Sequence, residues 1–154
     1  MSLGISDLML SVGCCLASMT IAGSTASKKA NKEWFDSLNH PDNSFMLKYM
    51  TYIGFGFYLI FGYVLYHLFI GNEIVSIILV ITIILLMGLC PMLLYKTRNL
   101  KLFFVSNLIF LVLIPLLAYL LLQLSLLLAG LTIVYLLWFL YDLSYWYRLM
   151  KMNQ

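Results

Sequence analysis

The sequence predicts an all-α fold: a polytopic membrane protein built as a bundle of five transmembrane helices in a single domain spanning 1–154. Composition is the first ground. Of 154 residues, 64% are hydrophobic and 10% charged, with a mean hydropathy of +1.00, whereas a soluble domain carries about 25% charged residues. The second is length. Apolar runs fall at about 5–24, 45–70, 74–95, 102–122 and 126–148, and a spanning helix needs about 20 apolar residues. The third is charge placement. With five spans, the N-terminus, the 71–73 connection and the 123–125 turn share one side, which then carries no Lys or Arg. All nine basic residues (Lys28, Lys29, Lys32, Lys48, Lys96, Arg98, Lys101, Arg148 and Lys151) fall on the other. A different helix count scatters them across both faces, and the positive-inside rule makes the basic side cytosolic.

The first run follows Met1–Asp7, which holds no Lys or Arg and so predicts no secretory leader. Its small residues Gly13, Ala17, Ser18, Ala22 and Ala26 recur at spacings that let helices approach closely in lipid. If this weakly apolar segment lies outside the membrane, the count drops to four. A polar connection at 25–44 follows, read as a loop. The second run contains His67, a lone histidine without metal-ligand neighbours. The third and fourth contain Pro91 and Pro115, which predict kinks rather than ligand contacts. The last two runs are nearly continuous, interrupted by Gln123 and Ser125, so a tight turn is placed there. Cys14, Cys15 and Cys90 lie within apolar runs without C-x-x-C spacing and are read as packing residues.

The net charge of +3 flanks the spans, where topology and anionic lipid explain it, and does not indicate nucleic-acid binding. No nucleophile–base arrangement, H-E-x-x-H or phosphate loop occurs, so neither an enzyme nor a cofactor is expected. A sterol-modifying enzyme would need acidic and His groups brought together. Asp142 and His67 fall near opposite ends.

Within the first connection lies the polar island Glu33-Trp34-Phe35-Asp36-Ser37-Leu38-Asn39-His40-Pro41. It resembles the first-loop signature of the translocator protein family (TspO, the peripheral-type benzodiazepine receptors). The likeness continues through Tyr58-Leu59-Ile60-Phe61-Gly62, Pro91, the basic turn at Lys96 and Arg98, and Tyr135-Leu136-Leu137-Trp138. It ends at Tyr145-Trp146-Tyr147-Arg148. The resemblance implies a receptor or carrier for a flat hydrophobic ligand, a porphyrin (tetrapyrrole) or a cholesterol-like sterol, held within the bundle and gated by the first loop. It also implies pairing into a homodimer, and residence in a mitochondrial outer membrane or a bacterial inner membrane. Ligand contacts are then expected at Trp34, Tyr135, Trp138 and Asp142.

Tyr135, Trp138 and Asp142 share one helical face. Asp142 stands where the family has a small residue: an intramembrane carboxylate tends to face a cavity or a partner, while Arg148, six residues or about 9 Å further along the helix, equally places Asp142 within reach of water at the cytosolic interface. Leu143, Tyr145 and Arg148 match a proposed cholesterol pattern, and equally an interfacial anchor. The sequence departs from the family at Asn43, Ser44, Phe45 and Met46, at Gly54, at Thr82, Leu86 and Leu89, and at Val134. The changed Trp positions weigh against the light-dependent porphyrin breakdown proposed for some members. A second reading is a relative that binds no ligand and serves as a membrane interaction or stress-regulatory protein.

Overall fold

The computed structural model describes residues 3–41 and 44–154. Asn43, one of the departures above, lies outside the described residues, as does residue 42 of the 25–44 connection. The described residues form seven helices and no strand: α1 (Leu3–Ala26), α2 (Lys29–Asp36), α3 (Ser44–Gly71), α4 (Ile74–Thr97), α5 (Leu100–Asn107), α6 (Phe110–Leu122) and α7 (Leu126–Met152). Five segments are long and apolar enough to cross a membrane: α1, α3, α4, α5 with α6 together, and α7. The chain is an integral membrane protein with an all-α, five-span bundle.

Helix α1 belongs to that bundle, packing against α3 and α4. Its buried face is Ser11, Cys15 and Ser18, spaced four and three residues apart as one helical stripe requires. Ser18 Oγ donates to the Ile84 carbonyl and lies 3.0 Å from the Tyr58 hydroxyl. Cys15 Sγ donates to the Tyr58 carbonyl at 3.3 Å. The small-residue stripe expected from sequence is therefore displaced. Gly13 and Ala17 are exposed, and of that set Ser18 alone is fully buried. Glycine is needed on the facing helix instead. A Cβ at Gly88 would stand 2.7 Å from the Ser18 carbonyl oxygen.

The bundle has two halves along its length. Away from the basic end, the interior is solid. Phe61, Val64, Leu65 and Leu68 of α3 meet Val80, Ile83 and Ile84 of α4 and Ile114, Leu117 and Leu121 of α6, all with almost no exposed surface. The outward faces carry residues such as Val75, Ile78, Val112 and Leu137, the side chains a bilayer core solvates without cost. Toward the basic end the helices enclose a cavity.

Two breaks shape that end. The fourth span is interrupted at Leu108 and Ile109, not at Pro115. Ser106 Oγ and Asn107 Nδ2 both donate to the Phe103 carbonyl at 2.8 Å, competing with the backbone bonds of that turn. The following amides tighten onto partners three residues back. The 25–44 connection, expected as a loop, contains the amphipathic helix α2. This helix buries Asn31 and Phe35 and turns Lys29 and Glu33 outward, their charged groups 3.7 Å apart. Isolated, eight residues are too few to hold a helix in water. Packing of Phe35 supplies what length does not.

Candidate functional site

The cavity encloses about 460 Å³, within the range of small-molecule sites. Its walls come from the basic-end halves of the spans: 19–26 of α1, 50–58 of α3, 87–95 of α4, 103–110 across the α5–α6 break, and 135–146 of α7. Helical spacing on α7 delivers Tyr135, Trp138, Asp142 and Trp146 to one side, at intervals of three, four and four residues. Pro91 removes the backbone bond that would reach the Met87 carbonyl, and both residues line the cavity.

Tyr135 is buried, with its ring edge-on to Phe57 and Phe61 at 4.7 and 4.8 Å. Its hydroxyl makes no hydrogen bond to a described residue, although no fully enclosed polar side-chain atom among them lacks a partner. That hydroxyl therefore faces open cavity space. Trp138 is half-buried, 6.3 Å from Phe57 and 5.5 Å from Tyr141 between ring centres. Asp142 is also half-buried, and its Oδ1 accepts from Trp146 Nε1 at 3.1 Å. Among the described residues Asp142 is the one Asp, Glu, Lys, Arg or His in the lining.

Trp34, the fourth expected ligand residue, does not line the cavity. It stacks edge-on against Tyr95, which does, at 6.2 Å. Its neighbour Phe35 packs deeper, 6.4 Å from Tyr95 and 6.0 Å from Trp146. The polar island therefore covers the basic end of the cavity through a second aromatic layer.

The island is fixed there by hydrogen bonds to α7. His40 Nε2 lies 2.9 Å from the Phe35 carbonyl and Nδ1 2.9 Å from the Tyr145 hydroxyl. A carbonyl only accepts, so Nε2 carries the proton, and in the neutral ring Nδ1 accepts from Tyr145. The Asn39 amide donates to Asn153 Oδ1 at 2.9 Å. Asn153 Nδ2 donates back to the Asn39 carbonyl at 3.0 Å and to the Leu149 carbonyl at 2.8 Å.

The cholesterol-pattern residues are not brought together on a lipid-facing surface. Tyr145 is fully buried beneath the island, Leu143 is half-buried, and Arg148 is exposed with its Nε donating to the Ser144 carbonyl at 3.4 Å. The aromatic end read as an interfacial belt divides the same way. Tyr147 faces out, while Tyr145 and Trp146 face in. Trp146 is the cavity residue that sequence reasoning missed, although its position four residues after Asp142 on the same face was the available signal. Asn107 and Phe57 had no such signal, nor had Asn153. Gly54, where the family carries Trp, also lines the cavity, and a Cβ there would meet nothing within 4 Å.

Comparison with protein-family models, curated proteins and solved structures finds no match. The likeness to translocator proteins rests on the residues quoted above.

Proposed function

We propose that this chain is a membrane receptor or carrier of the translocator-protein kind, binding a flat hydrophobic small molecule between its helices. One observation carries the reading. Tyr135, Trp138 and Asp142, singled out on sequence grounds, line a common cavity of about 460 Å³. That cavity is mostly apolar with a few convergent polar groups, as ligand sites are. The family signature, from Trp34 to Pro41, covers its basic end. In this account Trp138 and its aromatic neighbours grip the ligand's flat face, and the island acts as the gate. A porphyrin or a sterol is the ligand class that the resemblance implies. The charge pattern favours a cytosolic C-terminus and island, and a mitochondrial outer or bacterial inner membrane fits that topology. A homodimer in the membrane follows from the same resemblance.

Equilibrium titration of the purified protein in uncharged detergent with protoporphyrin and with cholesterol tests the reading. Saturable micromolar binding of either supports it. Absence of saturable binding by both favours a membrane interaction protein that takes no ligand.

A further inference from the structure

We propose that the cavity selects a cation: the ligand's polar end is a protonated amine, seated on Asp142 and enclosed by aromatic rings. The inference rests on the receptor reading and narrows its ligand to a flat apolar body that bears an amine, in place of a porphyrin with its two carboxylates or an uncharged sterol.

Charge is the first ground. Among the described residues Asp142 is the one Asp, Glu, Lys, Arg or His in the lining, so none of them brings a counter-charge into the cavity. Among the described residues the ion pair formed is Lys29–Glu33, on the exposed side of α2. Arg148, the nearest basic residue along α7, is exposed and directed to the Ser144 carbonyl. A carboxylate drawn partly into an apolar bundle without a cation is expensive. A ligand that brings the positive charge offsets that cost, whereas one that brings a second carboxylate adds to it.

Hydrogen bonding is the second. Trp146 Nε1 fixes Asp142 Oδ1 and leaves Oδ2 for a donor. The Tyr135 hydroxyl, seven residues earlier on the same face, lines the same cavity and has no hydrogen-bond partner among the described residues. An ammonium has donors and no acceptor, so it suits the free carboxylate oxygen of Asp142, and the Tyr135 hydroxyl offers a further acceptor in the same cavity.

Ring placement is the third. Trp138, Trp146, Tyr135 and Tyr95 all contribute to the walls. Aromatic faces attract a desolvated cation through their quadrupole, and these four rings share the cavity with the Asp142 carboxylate. The same faces hold the flat body of the ligand, so shape and charge are read in one place.

The test uses three probes with the same three-ring frame: 9-(aminomethyl)anthracene as cation, anthracene as neutral body and anthracene-9-carboxylate as anion. Each is titrated by fluorescence into the full chain in uncharged detergent micelles at neutral pH. The expected order is cation, neutral, anion, with the cation about tenfold to a hundredfold tighter than the neutral probe. In Asp142→Asn, which keeps an oxygen for Trp146, the ratio of cation to neutral affinity falls at least about tenfold. Equal affinities, or the anion binding tightest, overturn the charge inference and leave the receptor reading standing. Saturable binding by none of the three removes the receptor reading and this inference with it. If Asp142→Asn does not fold, the ranking in the unaltered protein decides alone.

Discussion

Replacing Gly88 with Ala tests how the first span is held. The added Cβ would lie 2.7 Å from the Ser18 carbonyl oxygen and 3.2 Å from the Ser18 carbonyl carbon. Ordinary van der Waals contact begins at 3.4 Å, so α1 and α4 must separate by roughly 0.7 Å, and the opposing atom is backbone that cannot rotate away. Overpacking of this kind costs about 1–3 kcal/mol. The movement also strains the Ser18 contacts to Ile84 and Tyr58, each worth about 0.6 kcal/mol in a membrane protein. Exchanging Gly for Ala within a helix returns about 0.5–1 kcal/mol. The net expectation is a loss of about 2 kcal/mol. Reversible unfolding in mixed micelles measures it, with Gly130→Ala as control, because a Cβ there meets nothing within 4 Å. The control should be neutral or slightly stabilising. Equal stability of the two variants would refute the close α1–α4 approach.

Tyr145→Phe removes the hydroxyl that meets His40. It should cost about 1 kcal/mol and speed ligand release, read by stopped-flow displacement. Asn153→Ala breaks the paired bonds to Asn39. Hydrogen exchange at the Asn39 amide should accelerate at least about tenfold, equivalent to about 1.4 kcal/mol of lost local protection, while amides of α4 remain unchanged. Gly54→Leu fills cavity space that is open in the structure. It should weaken ligand affinity at least about tenfold without lowering thermal stability, because filling that space displaces ligand rather than protein.

The spans were legible because bilayer thickness imposes a length and the basic residues sort onto one side. Both signals are linear in sequence. The α7 face was legible for a related reason, since Tyr135, Trp138 and Asp142 follow helical spacing. Long-range contacts left no such trace. Nothing in the sequence announces that Asn153 pairs with Asn39, 114 residues away, or that Tyr145 turns inward to His40 rather than outward to lipid. The packed stripe on α1 was misplaced because small residues occur all round that helix. Which of them meets α4 is decided by Gly88, on a different segment. The fourth span breaks at Leu108 rather than at Pro115 because the side chains of Ser106 and Asn107 compete for one carbonyl, an effect stronger here than the proline signal that sequence reading favours. Helix α2 was hidden because its stability comes from Phe35 meeting Tyr95 and Trp146, not from its own eight residues.

In the receptor reading proposed above, a flat ligand sits against Trp138 inside the bundle. Affinity measured by equilibrium titration in the unaltered protein, in Trp138→Ala and in Leu137→Ala tests it most directly. Leu137 is the adjacent residue on α7 and is 63% exposed on the outer face. The account predicts that Trp138→Ala weakens binding at least about tenfold, the loss expected when an aromatic wall is removed. Leu137→Ala should leave binding within about twofold, as a residue outside the cavity should. Equal affinities for all three proteins would contradict it.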